Sequence, residues 1–122
     1  MISKPDLRTP LSIANNESST PAEHFQNQVL RPVLKLQNDL YLRLFSSYAS
    51  RQIPAFSSLT TEQKHHLIEK SLQKDTVLKN TLIGVSIGML TEQELESYIS
   101  DSKTFNKRII AMVTERIKSQ VK

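Results

Sequence analysis

The chain has 122 residues, a length typical of one domain, and a formal net charge of +4, which favours acidic partners such as nucleic acid. It contains no cysteine, which excludes disulfide bonds, thiolate metal sites and cysteine nucleophiles. No apolar run is long enough to span a bilayer and residues 1–20 lack the apolar core of a signal peptide, so we predict a cytoplasmic protein without a membrane partner.

The N-terminal residues are polar, contain prolines and follow no apolar period, so we predict a disordered or loosely docked arm over residues 1–19. A single helical domain is predicted over residues 20–122. It begins with a capping signal, because Thr20 suits the N-cap, Pro21 suits the first helical position and Glu23 can complete a capping box.

The first predicted helix ends in residues 50–58, where Pro54 interrupts the pattern. Its apolar residues form two adjacent stripes, which is typical of a central helix. One stripe contains Phe25, Val29, Val33, Leu36, Leu40 and Leu44, and the other contains Leu30, Leu34, Tyr41, Phe45 and Tyr48. Pro32 lacks an N–H and crowds the carbonyl of Gln28, so we predict a kink or break near Leu30–Arg31.

Further helix starts follow along the chain. They are a capping box at Thr60 and Gln63, a joint at Asp75–Thr76, a capping box at Thr91 and Glu94, and a last start at Asp101 or Ser102. No segment alternates apolar and polar residues as a half-buried strand does. The sequence therefore predicts an all-α fold, a compact helical bundle of four to six helices with a Pro-kinked first helix at its centre.

The only two glycines, Gly84 and Gly88, stand one helical turn apart in the most apolar segment of the chain. Each costs about 1 kcal/mol relative to alanine inside a helix. Together with Val77 and Thr81 they form a stripe of small residues. We predict a close helix crossing there, within the domain or across a dimer axis; the alternative is the floor of a small-ligand site.

No catalytic or metal-binding constellation is complete. Glu62 and His65 match one half of a carboxylate-bridged di-iron motif, which needs a second copy and further glutamates. Ser86 lies between the two glycines in a formal Gly-x-Ser-x-Gly pattern, but a nucleophile elbow needs a preceding strand, and this segment has a helical pattern. We predict no catalytic residue, no metal site and no cofactor.

Several polar side chains are embedded in otherwise apolar helical faces. The candidates for ligand binding are Gln28, Arg31, Asn38 and Asn80. Arg31 stands beside the predicted break, where it could anchor an anion in a polar pocket. The alternative is a structural hydrogen-bond network, because buried polar side chains must be paired.

The last helix is basic, since residues 103–122 contain six lysines and arginines and one acid. Lys103, Lys107 and Arg108 are the candidates for nucleic-acid binding. The preceding stretch, residues 92–101, contains four acids and no base. Two neighbouring helices of opposite charge could instead complement each other within the domain.

Residues 25–40, together with the segments Gln73–Asp75, Asn80–Gly88 and Asn106–Arg108 and the pair Glu115–Arg116, resemble a small bacterial family of all-helical, uncharacterised proteins. The resemblance covers about residues 24–120 and implies a helical fold. Some members carry the label glyoxalase, but the known glyoxalase classes use strands or a dense histidine motif that this chain lacks. The resemblance therefore transfers no catalytic residue.

A wide apolar face without a catalytic set favours a non-enzymatic interaction or structural module that forms a homodimer through apolar helix faces. The first alternative is a nucleic-acid-associated protein that uses the basic C-terminal helix. The second is a small-molecule enzyme or sensor with a polar pocket near Arg31.

Overall fold

A computed structural model describes residues 20–121, which form six helices and no strand. The first helix, α1, covers residues 21–36. The others are α2 (Asn38–Gln52), α3 (Thr61–Lys74), α4 (Thr76–Ile87), α5 (Glu92–Ser100) and α6 (Ser102–Gln120), with a 3₁₀ turn (Phe56–Ser58) between α2 and α3. The predicted all-α bundle and its number of helices are confirmed. The predicted arm, residues 1–19, lies outside the described residues.

The helix starts follow the capping signals of the sequence. The Thr60 hydroxyl accepts a hydrogen bond from the Gln63 amide at 3.1 Å, and the Gln63 side chain accepts from the Thr60 amide at 3.0 Å. Thr91 forms the same reciprocal pair at the start of α5. Asp75 caps α4 by accepting from the backbone of Leu78 at 2.9 Å. Local side-chain chemistry therefore sets these helix boundaries.

The predicted irregularity in the first helix takes the form of a π-helical turn, Gln26–Leu30, between α-helical turns of α1. The Arg31 amide bonds five residues back to the carbonyl of Gln26, immediately before Pro32. A second break at Gln37, with φ −91° and ψ 8°, separates α1 from α2 and was not predicted. There the Gln37 side chain donates to the carbonyl of Val85 in α4 at 3.1 Å.

Helix α6, and not the first helix, occupies the centre of the bundle. It packs against α2, α3, α4, α5 and the π turn. Its buried residues are Phe105, Ile109, Ile110, Val113, Thr114 and Ile117. The prediction of a central first helix was wrong because Leu36 and Leu40, two members of its apolar stripes, are 37% and 46% exposed.

A buried polar contact joins α2 to α4. The hydroxyl oxygens of Tyr41 and Ser86 lie 2.7 Å apart, and both residues are 0% exposed. Ser86 also donates to the carbonyl of Leu82 at 2.9 Å, so the Tyr41 hydroxyl is the donor between the two side chains. Each hydroxyl thus has a partner inside an otherwise apolar core.

We expect Ser86→Ala to lower the free energy of unfolding by about 1–3 kcal/mol, because it leaves the buried Tyr41 hydroxyl without an acceptor. Tyr41→Phe should cost less, since Ser86 keeps its bond to the carbonyl of Leu82. The double variant should cost less than the sum of the two single variants. Urea unfolding followed by circular dichroism measures all three. Strict additivity would contradict the contact.

Alkaline pH should destabilise the protein through Tyr41, because burial raises its pKa from the ordinary value of 10.0 to about 12. The Ser86 hydrogen bond and the charge of Arg116 act on the pKa in the opposite direction. The folded state keeps a proton that the unfolded state loses. The stabilisation is therefore complete below pH 10 and lost as pH rises to about 12, in total about 3 kcal/mol. Urea unfolding across this range should show a smaller decline for Tyr41→Phe; equal declines would refute the assignment.

Ala55 has φ 62° and ψ 24°, a left-handed conformation that strains any residue with a β-carbon. Glycine relieves that strain, so Ala55→Gly should raise the free energy of unfolding by up to about 1 kcal/mol. Ala111→Gly, at an exposed position inside α6, is the matched control and should lower it by about 1 kcal/mol. If both variants shift stability in the same direction in urea unfolding, the strain argument fails.

Candidate functional site

The outward face of α4 carries the stripe of small residues. Val77 is 77% exposed, and Thr81, Gly84 and Gly88 are also exposed, whereas Ser86 on the opposite side is fully buried. A β-carbon on Gly84 would meet nothing within 4 Å. The prediction of a close crossing within the domain is therefore wrong for the described residues, and a crossing across a dimer axis stays a prediction.

This outward face is nearly free of charge. Among the 12 residues of α4, only Lys79 is charged. The helix packs against α2, α3 and α6 on its other side. An exposed helix face normally carries charged side chains, whereas this face presents Val77 beside Thr81, Gly84 and Gly88. The face is therefore suited to contact with another protein surface.

A cleft of about 350 Å³ lies between α1 and α6. Its lining residues are Arg31, Leu34, Met112, Arg116, Ser119 and Gln120. Leu34 is only 1% exposed, so the apolar surface that the cleft presents comes chiefly from the half-buried Met112. The cleft thus combines positive charge with an apolar surface.

Asn38, the first residue of α2, connects to the rim of this cleft. Its side chain exchanges two hydrogen bonds with the Gln120 amide group, at 2.9 Å and 2.8 Å. Nη1 of Arg116 donates to the Asn38 Oδ1 at 3.4 Å. The end of α6 is thereby held against the start of α2, and the Arg116 side chain is oriented with it.

The structure brings together only part of the predicted ligand-binding set. Arg31 lines the cleft and Asn38 borders it. Gln28 instead lines another cavity, beside residues of α5 and the start of α6. Asn80 is exposed on α4. Arg116 was not among the predicted ligand-binding residues, because no local sequence pattern relates it to Arg31, which lies 85 positions earlier.

The three residues predicted to bind nucleic acid differ in their exposure and contacts. Lys103 and Lys107 are exposed, but Nη1 of Arg108 donates to the Gln26 Oε1 at 2.7 Å and ties α6 to the π turn. Lys107 also lines a cavity of about 530 Å³ that contains the acids Glu69 and Glu115. The basic surface is therefore interrupted by structural contacts and by acids.

The sequence predicted that the acids of α5 and the bases of α6 could complement each other, but within residues 20–121 no ion pair joins these two helices. Instead, Lys118 pairs with Glu69 of α3 and lies 3.5 Å from Glu115. The hydrogen bond that Lys118 donates to Glu69, together with the charge of Lys118, lowers the pKa of Glu69, and the same hydrogen bond raises the pKa of Lys118. This ion pair joins α3 to α6.

No cluster of three or more His, Cys, Asp or Glu side chains that could hold a metal ion occurs in the described part of the chain. Nε2 of His65 lies 3.1 Å from the Val121 carbonyl, which only accepts hydrogen bonds, so this nitrogen donates. Ser86 is buried in the middle of α4, without the strained turn of a nucleophile elbow. His65 and Ser86 therefore each make a contact within the fold, His65 with Val121 and Ser86 with Tyr41.

Between residues 20 and 121, no helix has the length and hydropathy needed to cross a bilayer. Comparisons of the chain with protein-family models, curated proteins and solved structures found no match. The resemblance to a helical bacterial family stays a prediction. The roles of individual residues therefore rest on the geometry described above.

Proposed function

We propose that this protein is a non-enzymatic helical interaction module that forms a homodimer through the outward face of α4. The observation that supports the proposal is the exposure of a nearly uncharged helix face, with Val77 77% exposed and open space at Gly84. Water contact with the exposed side chain of Val77 is unfavourable. Contact with a second protein surface removes that cost.

A second copy of the chain suits this face for two reasons. The face has little charge with which to recognise a charged partner, and small residues allow two helix backbones to approach closely. In a two-fold symmetric dimer the same patch meets itself, so a flat stripe at Gly84 and Gly88 is complementary to its own copy. Two such helices can cross without side chains holding them apart.

The expected dimer is weak. Helix α4 has 12 residues and is therefore about 18 Å long, so its face alone covers less than the roughly 800 Å² per partner of a standard interface. Leu36 and Leu40 add exposed apolar surface on α1 and α2, and α2 packs directly against α4. We expect association that depends on protein concentration.

Gly84→Ala should have opposite effects on the stability of one protomer and on the formation of the dimer. Within one protomer the added methyl group has open space and favours the helix by about 1 kcal/mol, so thermal stability at low concentration should rise. Across a close helix crossing the same methyl group prevents the approach, so the dimer should dissociate at higher concentrations. Val77→Glu should dissociate it more strongly by placing a charge in the interface. Sedimentation equilibrium over a range of concentrations measures both effects.

Ile99→Glu is the matched control, because Ile99 is 63% exposed on α5 and lies outside the proposed interface. It should leave self-association unchanged. A wild-type mass of 13.9 kDa at every concentration, or equal dissociation by Val77→Glu and Ile99→Glu, would disprove the dimer.

A further inference from the structure

We infer that the cleft between α1 and α6 is a binding site for a small organic anion, with its carboxylate or phosphate group held by Arg31 and Arg116 and its apolar part against Met112. This site is lined by residues of α1 and α6, whereas the proposed dimer face is centred on α4, and the two sites share no residue. The two proposals can therefore succeed or fail separately.

The cleft carries an excess of positive charge. Arg31 and Arg116 line one cleft, and neither forms an ion pair with a carboxylate of residues 20–121. The neighbouring acids have other partners, since Glu115 contacts Lys118 at 3.5 Å and Asp39 contacts Asn38 at 3.5 Å. Two cations in one cleft repel each other. An anion between them turns that repulsion into two attractive contacts.

The two guanidinium groups are held in position by hydrogen bonds within the protein. Nε of Arg31 donates to the Asn27 Oδ1 at 2.9 Å, which leaves the two terminal nitrogens of its guanidinium for a ligand. Arg116 is held by Asn38, which is itself held by Gln120. A guanidinium fixed in this way presents the planar fork that binds carboxylate or phosphate oxygens in pairs. Less side-chain freedom is then lost on binding.

The size and polarity of the cleft suit a small ligand. A volume of about 350 Å³ is near the lower end of the range for small-molecule sites. The half-buried side chain of Met112 offers an apolar contact to a small organic group, which inorganic phosphate lacks. The ligand class is therefore a small carboxylate or phosphate monoester with an apolar group attached.

Isothermal titration calorimetry at low ionic strength tests the site with three probes: phenyl phosphate, benzoate and inorganic phosphate. Phenyl phosphate or benzoate should bind wild-type protein, and inorganic phosphate should bind more weakly because it has no apolar group to contact Met112. The tighter of the two organic probes identifies the preferred anionic group. Inorganic phosphate binding as tightly as phenyl phosphate would contradict the role of Met112.

The variants Arg31→Gln and Arg116→Gln should each weaken binding of the organic probe about tenfold or more, because each removes a charge-assisted contact. Arg116→Lys should also weaken it, since lysine keeps the charge but not the fork. Arg43→Gln is the matched control, at an exposed arginine of α2 outside the cleft, and should leave affinity unchanged.

Circular dichroism melting curves establish that each variant is folded before titration. Arg31 is exposed, so Arg31→Gln keeps the test decisive even if Arg116→Gln destabilises α6. The inference is overturned if neither organic probe binds, if Arg31→Gln binds as wild type does, or if Arg43→Gln weakens binding equally.

Discussion

The hydrogen bond between Tyr41 and Ser86, together with the buried side chains of α4, orients that helix about its own axis, and the exposed surface of the protein depends on that rotation. The Tyr41 hydroxyl is fully buried and would be costly to leave unpaired in an apolar core, and Ser86 supplies its acceptor. With Ser86 turned inward, Gly84 and Gly88 necessarily face outward, since they lie about 200° away around the helix. The same contact that stabilises the core therefore creates the neutral outer face.

A second set of contacts holds the start of the domain against α6. The rings of Phe25 and Phe105 pack at a tilt of 49° with their centroids 4.7 Å apart, and Arg108 donates to Gln26 in the π turn. At the other end, hydrogen bonds between Asn38 and Gln120 join the start of α2 to the end of α6. Because α1 is attached to α6 in this way, guanidinium groups from distant parts of the sequence face one cleft. The proposed anion site is thus a consequence of how α1 docks.

The charged residues of α6 divide between structural and exposed positions. Arg108 and Lys118 tie α6 to the π turn and to α3, so neither is part of an open basic surface. Lys103 and Lys107 remain exposed, and two lysines supply few of the phosphate contacts on which non-specific nucleic-acid affinity depends. A net charge of +4 therefore says less about partners than the placement of each cation does.

The sequence by itself determined the all-α class, most helix starts and the irregularity before Pro32, because capping boxes, apolar periodicity and proline act through residues a few positions apart. Only the tertiary structure decided that α6 is central, that Gly84 faces outward and that Arg31 and Arg116 line one cleft. Those outcomes depend on which helix faces pack together. That choice is made by contacts such as Tyr41 with Ser86, between residues 45 positions apart, which leave no local pattern in the chain.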